Sequence, residues 1–273
     1  MAIVLDTLAA LGAVVNRQLM ALGSTIKFGA SAATYVGRGV FNKRIFPRHD
    51  FIVQVDYTGA RSVPIIMLTG FLVGMTLVAQ TTPTLARYGP KELVAGVAGV
   101  SILRTFGPVL AAVIFTGRVG AGFTAELGTM KVGEEVLALE TMGIDPIGYL
   151  VAPRFAAAVL MLPCLTVMFD ACGILGGFLI ATTSFDIPTS DYLDVTKQFV
   201  YISNFTFGLF KSLVFAVIVT VVCCYKGFKV FGSGMEVGRA TMQAVVMTLI
   251  SIISADFLLS LLYNVLSKLD IVA

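Results

Sequence analysis

Charge is scarce in this chain. Lys, Arg, Asp and Glu make up 13% of its 273 residues, against about a quarter in soluble domains. That shortage, with 57% hydrophobic residues and a mean hydropathy of +0.92, excludes an ordinary soluble domain and names a polytopic membrane protein. Histidine is nearly missing too: His49 stands alone. The four cysteines, Cys164, Cys172, Cys223 and Cys224, lie in apolar segments and make no C-x-x-C, so a Cys/His metal site is not expected. G-x-x-x-x-G-K-[ST] does not occur, so the chain is not expected to hydrolyse nucleotide itself. Neither G-x-S-x-G nor a histidine acid/base constellation occurs, which argues against an enzyme. No basic patch of the nucleic-acid-binding kind is found, although the net charge is +3. Asp6 interrupts the first apolar residues, and no basic run precedes them, so a cleavable signal is not expected.

What is present is apolar length. Five runs are long enough to cross roughly 30 Å of hydrocarbon: about Val63–Thr82, Leu93–Thr116, Phe155–Thr183, Phe205–Tyr225 and Ala244–Leu266. The first and third contain Gly70/Gly74 and Gly173/Gly177, small-residue pairs that permit close helix approach. Residues 1–54 read as an N-terminal amphipathic, interfacial segment, with Arg17, Lys27, Arg38, Lys43, Arg44 and Arg48 spaced through an apolar face. Residues 55–273 form the membrane domain. Lys and Arg gather on the side that holds this segment, together with Arg118, Lys131, Arg154, Lys226, Lys229 and Arg239. That side is expected to be cytoplasmic. Five spans then place the N-terminus inside and the C-terminus outside. The polar stretch around Asp186, Pro188 and Asp191 reads as an external loop.

Two groups of residues stand out from this background. One is the stretch Ala125–Arg154, AELGTMKVGEEVLALETMGIDPIGYLVAPR, which is too charged to cross a membrane. Thr129, Val132, Val136 and Leu139 recur at helical spacing, Lys131 and Glu135 stand four apart, and Gly143 before Asp145-Pro146 is a stop signal. A single short amphipathic helix at the cytoplasmic surface, over Glu126–Met142, is expected. The other group is Arg104, Asp170, Lys211 and Asp256, four ionisable residues inside apolar spans. Each would cost about 2.5–3.5 kcal/mol facing lipid, so they should face a bundle interior, a polar cavity or each other. One reading pairs the two cations with the two anions. The other leaves Arg104 and Lys211 for a lipid phosphate, which a buried cation can hold through charge-assisted hydrogen bonds.

ELGTMKV, the following Glu134-Glu135, the Met-Gly-Asp-Pro turn and APR before the third span resemble the signature of the MlaE/YrbE permeases, membrane subunits of ABC transporters that work with MCE proteins. The resemblance extends over roughly residues 55–265. It implies an all-α fold of about five transmembrane helices with a cytoplasmic coupling helix, in the bacterial inner membrane. It also implies a homodimer around a shared cavity and no cofactor on this chain, with ATP and magnesium held by a separate cytoplasmic ATPase. A periplasmic MCE-domain protein would be the outer partner, and a phospholipid or related lipid the substrate. The coupling contacts would come from Glu126, Met130, Lys131, Glu134, Glu135, Leu139 and Met142. Lipid would meet Arg104, Thr105, Lys211, Asp256 and Asp170, with Leu77, Gln80, Leu85 and Tyr88 near the outer end of the first span. Thr105 stands where the family's motif has glutamate, so a role for that carboxylate does not carry over. A proton-coupled secondary transporter, using Asp170 or Asp256 as relays, is the alternative.

Overall fold

A computed structural model describes residues 23–37, 48–87 and 89–268. The amphipathic face of residues 1–22, the cations Arg38, Lys43 and Arg44, Tyr88 and Ala273 lie outside them. Among the described residues every regular element is helical. Five segments are long and apolar enough to cross a membrane: Asp50–Leu85, Lys91–Val132, Ile147–Ser184, Ile202–Phe228 and Gly234–Val265. Each contains one of the five runs expected from the sequence, apart from the final residue of the last.

Helix α1 (23–37) lies against the end of the fourth span, where Phe28 packs on Tyr225 and Phe228 with ring centroids 5.7 Å apart in both pairs. Helix α2 (Arg48–Thr58) packs on the third span. It runs through residues 54 and 55, the expected division between the interfacial segment and the membrane domain. A break at Gly59 leads into α3 (Val63–Leu85). Its main partner is α8 (Ala152–Ser184). The contact is a backbone-on-backbone crossing: a Cβ on Gly74 would stand 1.8 Å from the carbonyl oxygen of Gly173, and one on Gly176 2.1 Å from that of Phe71. Nothing larger than hydrogen fits between the helices there, which is the use the two glycine pairs were expected to have.

The second span is one long, interrupted rod. Helices α4 (Val94–Ser101), α5 (Gly107–Phe115) and α6 (Ala121–Val132) are joined by wide π turns at Ile102–Phe106 and Thr116–Gly120. The Gly117-Arg-Val-Gly-Ala-Gly run is therefore continuous helix, with Arg118 tied to the Tyr57 carbonyl and to Ser62. Gly133 then ends α6, and Glu134 takes left-handed backbone at φ 61°, a conformation costly for residues with a Cβ. A two-turn helix, α7 (Glu135–Thr141), follows, and Gly143 at φ 74° closes it. The single helix expected over Glu126–Met142 is thus corrected to two, with the chain turning at Gly133-Glu134. That turn separates Lys131 from Glu135, and no ion pair joins them.

On the other end, residues expected as loop fold into α9 (Thr189–Phe199). Pro188 precedes it, Asp191 lies in its first turn and Lys197 in its last, which suits the helix dipole. Tyr192 anchors it, buried against Phe178 at 5.4 Å between centroids, and that burial pushes its phenol up to about 12. Lys91 adds a second tie by donating to the carbonyls of Phe185 and Asp186 at 2.9 and 3.2 Å. Helices α10 (Ile202–Phe228) and α11 (Gly234–Lys268) complete the bundle, packing on each other and on α6. The main core gathers Phe115, Phe123, Leu165, Phe169 and Phe215 at its centre.

Candidate functional site

Three helices meet at the first π turn of the second span. Pro108 has no N–H to offer the carbonyl of Arg104 four residues earlier. Lys211 of α10 takes that acceptor with its Nζ at 3.0 Å. The same ammonium donates to Asp256 Oδ1 at 2.7 Å and to Ser260 Oγ at 2.9 Å, both from α11. An ammonium has three N–H donors, so Lys211 is fully committed. It is also wholly buried, with Asp256 18% exposed. A buried charge is tolerable when it is both paired and hydrogen-bonded, and this one is. The expected pairing of two cations with two anions holds for Lys211 with Asp256 only.

Arg104 is arranged differently. Its guanidinium carries five N–H donors, and one is used, from Nη2 to Asn264 Oδ1 at 2.8 Å. The group lies 4.3 Å from the Tyr263 ring centroid and 5.8 Å from that of Phe207, positions that favour a cation through the ring quadrupole. Ser203 hydrogen-bonds Tyr263 at 3.0 Å and fixes that ring from the α10 side. Arg104 is half-buried and Thr105 exposed. Beside them a cavity of about 260 Å³ is lined by Phe257, Ser260, Leu261, Asn264 and Val265. Arg104 therefore keeps unused cationic donors and is joined to the apolar hollow through Asn264, which lines it, with a saturated ion pair behind.

Ser203, Phe207, Ser260, Tyr263 and Asn264 were not anticipated, yet the sequence carries their signal. Ser203, Phe207 and Lys211 are spaced by four on one face of α10. Asp256, Ser260 and Asn264 have the same spacing on α11. Asp170, by contrast, does not join the cluster. It is buried on α8, and its Oδ1 has no hydrogen-bond partner. Leu77 and Leu85 also lie elsewhere, packed in a second apolar cluster with Val78, Ala181 and Tyr192. Gln80 is exposed on α3, and Tyr88 lies outside the described residues.

The expected coupling residues divide in the same way. Glu126 pairs with Arg154 at 3.0 Å, bracing α6 against the start of α8, and Met130 packs on the core. Lys131 and Leu139 are half-buried. Glu134, Glu135 and Met142 project freely, joined by Glu140 and by exposed apolar side chains on Leu137 and Ile144. Val136 holds α7 down, 1% exposed. The outcome is a compact acidic and apolar knob standing off the bundle. Among the described residues no cluster of His, Cys, Asp and Glu has the makings of a metal site.

The described residues form a five-span helical bundle with an exposed knob at α7, and its sequence relatives give the class. The model of the family described as Permease MlaE matches residues 51–262. The chain is 32% identical over 260 residues to the intermembrane phospholipid transport system permease protein MlaE of Haemophilus influenzae, covering 94% of this chain and 97% of that one. It is 38% identical over 213 residues to a probable ABC transporter permease protein of Rickettsia typhi, covering 78% and 82%. With TRIGALACTOSYLDIACYLGLYCEROL 1, a chloroplast protein of Arabidopsis thaliana, it shares 35% identity over 207 residues, 76% of this chain and 59% of that one. The chain belongs to the MlaE permease family and is a multi-pass membrane protein.

Proposed function

We infer that this protein is the membrane subunit of an ABC transporter that moves a phospholipid or closely related lipid between a bacterial inner membrane and a periplasmic partner. Arg104 carries the reading. A phosphate diester needs several converging donors, and this guanidinium keeps four of its five N–H groups uncommitted beside an apolar hollow. Its neighbours fit a lipid head and tail alike, since Tyr263 and Phe207 flank the cation while Leu261 and Val265 offer surface to acyl chains. Lys211, committed to three acceptors, has no donor left for lipid and acts as the strut that holds the Arg104 turn against α10 and α11. Asp256 and Ser260 belong to that strut.

The exposed knob of Glu134, Glu135, Leu137, Glu140 and Met142 is the docking point for a cytoplasmic ATPase, where ATP and magnesium are held. Its isolation by the Gly133-Glu134 turn suits a lever that moves as a unit. Helix α11 leaves Met242, Ile250, Ile253, Phe257 and Leu261 exposed along its length, an apolar face that a second copy of the chain would cover. An MCE-domain protein would sit on the outer end. The N-terminus would be cytoplasmic and the C-terminus periplasmic.

Copurification from native membranes tests this reading. An ATPase and an MCE-domain protein should come with the tagged chain, and lipid turnover in vesicles should need nucleotide. Uptake driven by a proton gradient, with the chain alone, would instead support the secondary transporter.

A further inference from the structure

On the far side of the same π turn lies a second hollow, of about 350 Å³. Its walls are Leu103, Val167, Ile174, Val200 and Phe205, and among the described residues Asp170 supplies its one charged side chain. Asp170 is only 4% exposed, and its Oδ1 accepts no hydrogen bond. Oδ1 packs against Gly107, in the place a side chain there would need, since a Cβ would stand 1.8 Å from Oδ1. Any other residue at position 107 would drive the carboxyl from its place. A buried carboxyl without a donor costs free energy, and the fold retains it at the floor of an apolar hollow. Tyr201, at the rim, is 65% exposed and Ile202 84%, so the hollow opens sideways to whatever surrounds the bundle.

We propose that this groove is a second amphiphile site, separate from the Arg104 cluster, which takes from the surrounding bilayer an amphiphile whose head is a small hydrogen-bond donor, an aliphatic amine or alcohol. The chemistry of the walls sets the class. Among the described residues no lysine or arginine lines the groove, so a phosphate or carboxylate head would meet an acidic side chain and no cation. An alcohol donates one hydrogen bond to the Asp170 carboxyl that lines the groove, and an ammonium adds charge, with the Phe205 ring close by to favour a cation. The hydrocarbon remainder lies along Val167, Ile174 and Val200 and leaves past Ile202. Helix α9 closes the groove at one end, because Val200 and Tyr201 form the short link from α9 to α10.

Photolabelling of the full chain in phosphatidylcholine vesicles tests this directly. Three long-chain diazirine probes are compared, ending in an amine, an alcohol or a methyl group. The amine and alcohol should label α8 around Val167–Ile174 and the start of α10 about tenfold more than the methyl-ended probe. Asp170→Leu should abolish that difference. Asp170→Asn keeps a carbonyl acceptor, so it should retain alcohol labelling and lose amine labelling about tenfold. Ile174→Trp fills the groove and spares the carboxyl; it should lose both labels and keeps the test alive if Asp170→Leu does not reach the membrane. Equal labelling by all three probes, labelling unchanged in Asp170→Leu, or protein–protein crosslinks from Tyr201 showing a second copy seated there would each overturn the proposal. Arg104→Ala should leave this labelling untouched, so failure here leaves the lipid-transport reading standing, and the reverse.

Discussion

Lys211 and Asp170 are both ionisable, both buried inside apolar spans, and both packed beside the same π turn, yet their surroundings are opposite. Lys211 has three acceptors for three donors. Asp170 has an oxygen with no donor at all. Burial alone therefore does not identify a functional charge in a membrane protein; counting partners does. A saturated group is part of the frame, and a group with spare capacity is where a ligand can act. By that count Arg104 falls with Asp170, although it lies next to Lys211.

The comparison can be broken experimentally, and the largest effect should come from the frame. Asp256→Ala strands the Lys211 ammonium, which should cost about 3–5 kcal/mol and lower the thermal midpoint sharply. Lys211→Met combined with Asp256→Leu removes both charges and should recover most of that loss. A double variant as unstable as the single one would mean that the pair does more than balance charge.

Asp170→Leu sharpens the contrast with a smaller effect of opposite sign. Removing an undonated carboxyl from an apolar groove should leave stability unchanged or raise it by about 1–2 kcal/mol, read from chemical or thermal unfolding in detergent. A destabilisation comparable to that of Asp256→Ala would show that Asp170 has a structural partner and belongs to the frame.

The smallest stability effect belongs outside the spans. Glu134→Lys with Glu135→Lys alters exposed side chains on the knob and should shift stability by no more than about 0.5 kcal/mol. ATPase copurification should nevertheless fall. Intact association would remove the acidic face of α7 from the docking surface.

How much of this could be read from the chain depends on distance along it. The five apolar runs and the Gly70/Gly74 and Gly173/Gly177 pairs were legible because hydrophobic length and small-residue spacing are local signals. The break at Gly133-Glu134 was missed because Val132, Val136 and Leu139 keep helical spacing across it, and periodicity does not register one left-handed residue. Helix α9 was missed because a polar segment with three aspartates and a proline resembles a loop until Tyr192 finds Phe178. Arg104, Lys211 and Asp256 could be named, but not their division of labour. That division rests on Pro108 freeing a carbonyl for Lys211 and on the stripes at 203, 207 and 211 and at 256, 260 and 264, which align only once α10 and α11 pack together.

The most direct measurement is the lipid retained per chain by the purified protein, read by native mass spectrometry for two variants side by side. Arg104→Ala should lose about nine-tenths of the bound phospholipid, as expected for losing charge-assisted hydrogen bonds, while Lys211→Met with Asp256→Leu should keep it. The reverse pattern, lipid retained without Arg104 and lost without the pair, would contradict the assignment of Arg104 as the head-group contact and Lys211 as its support.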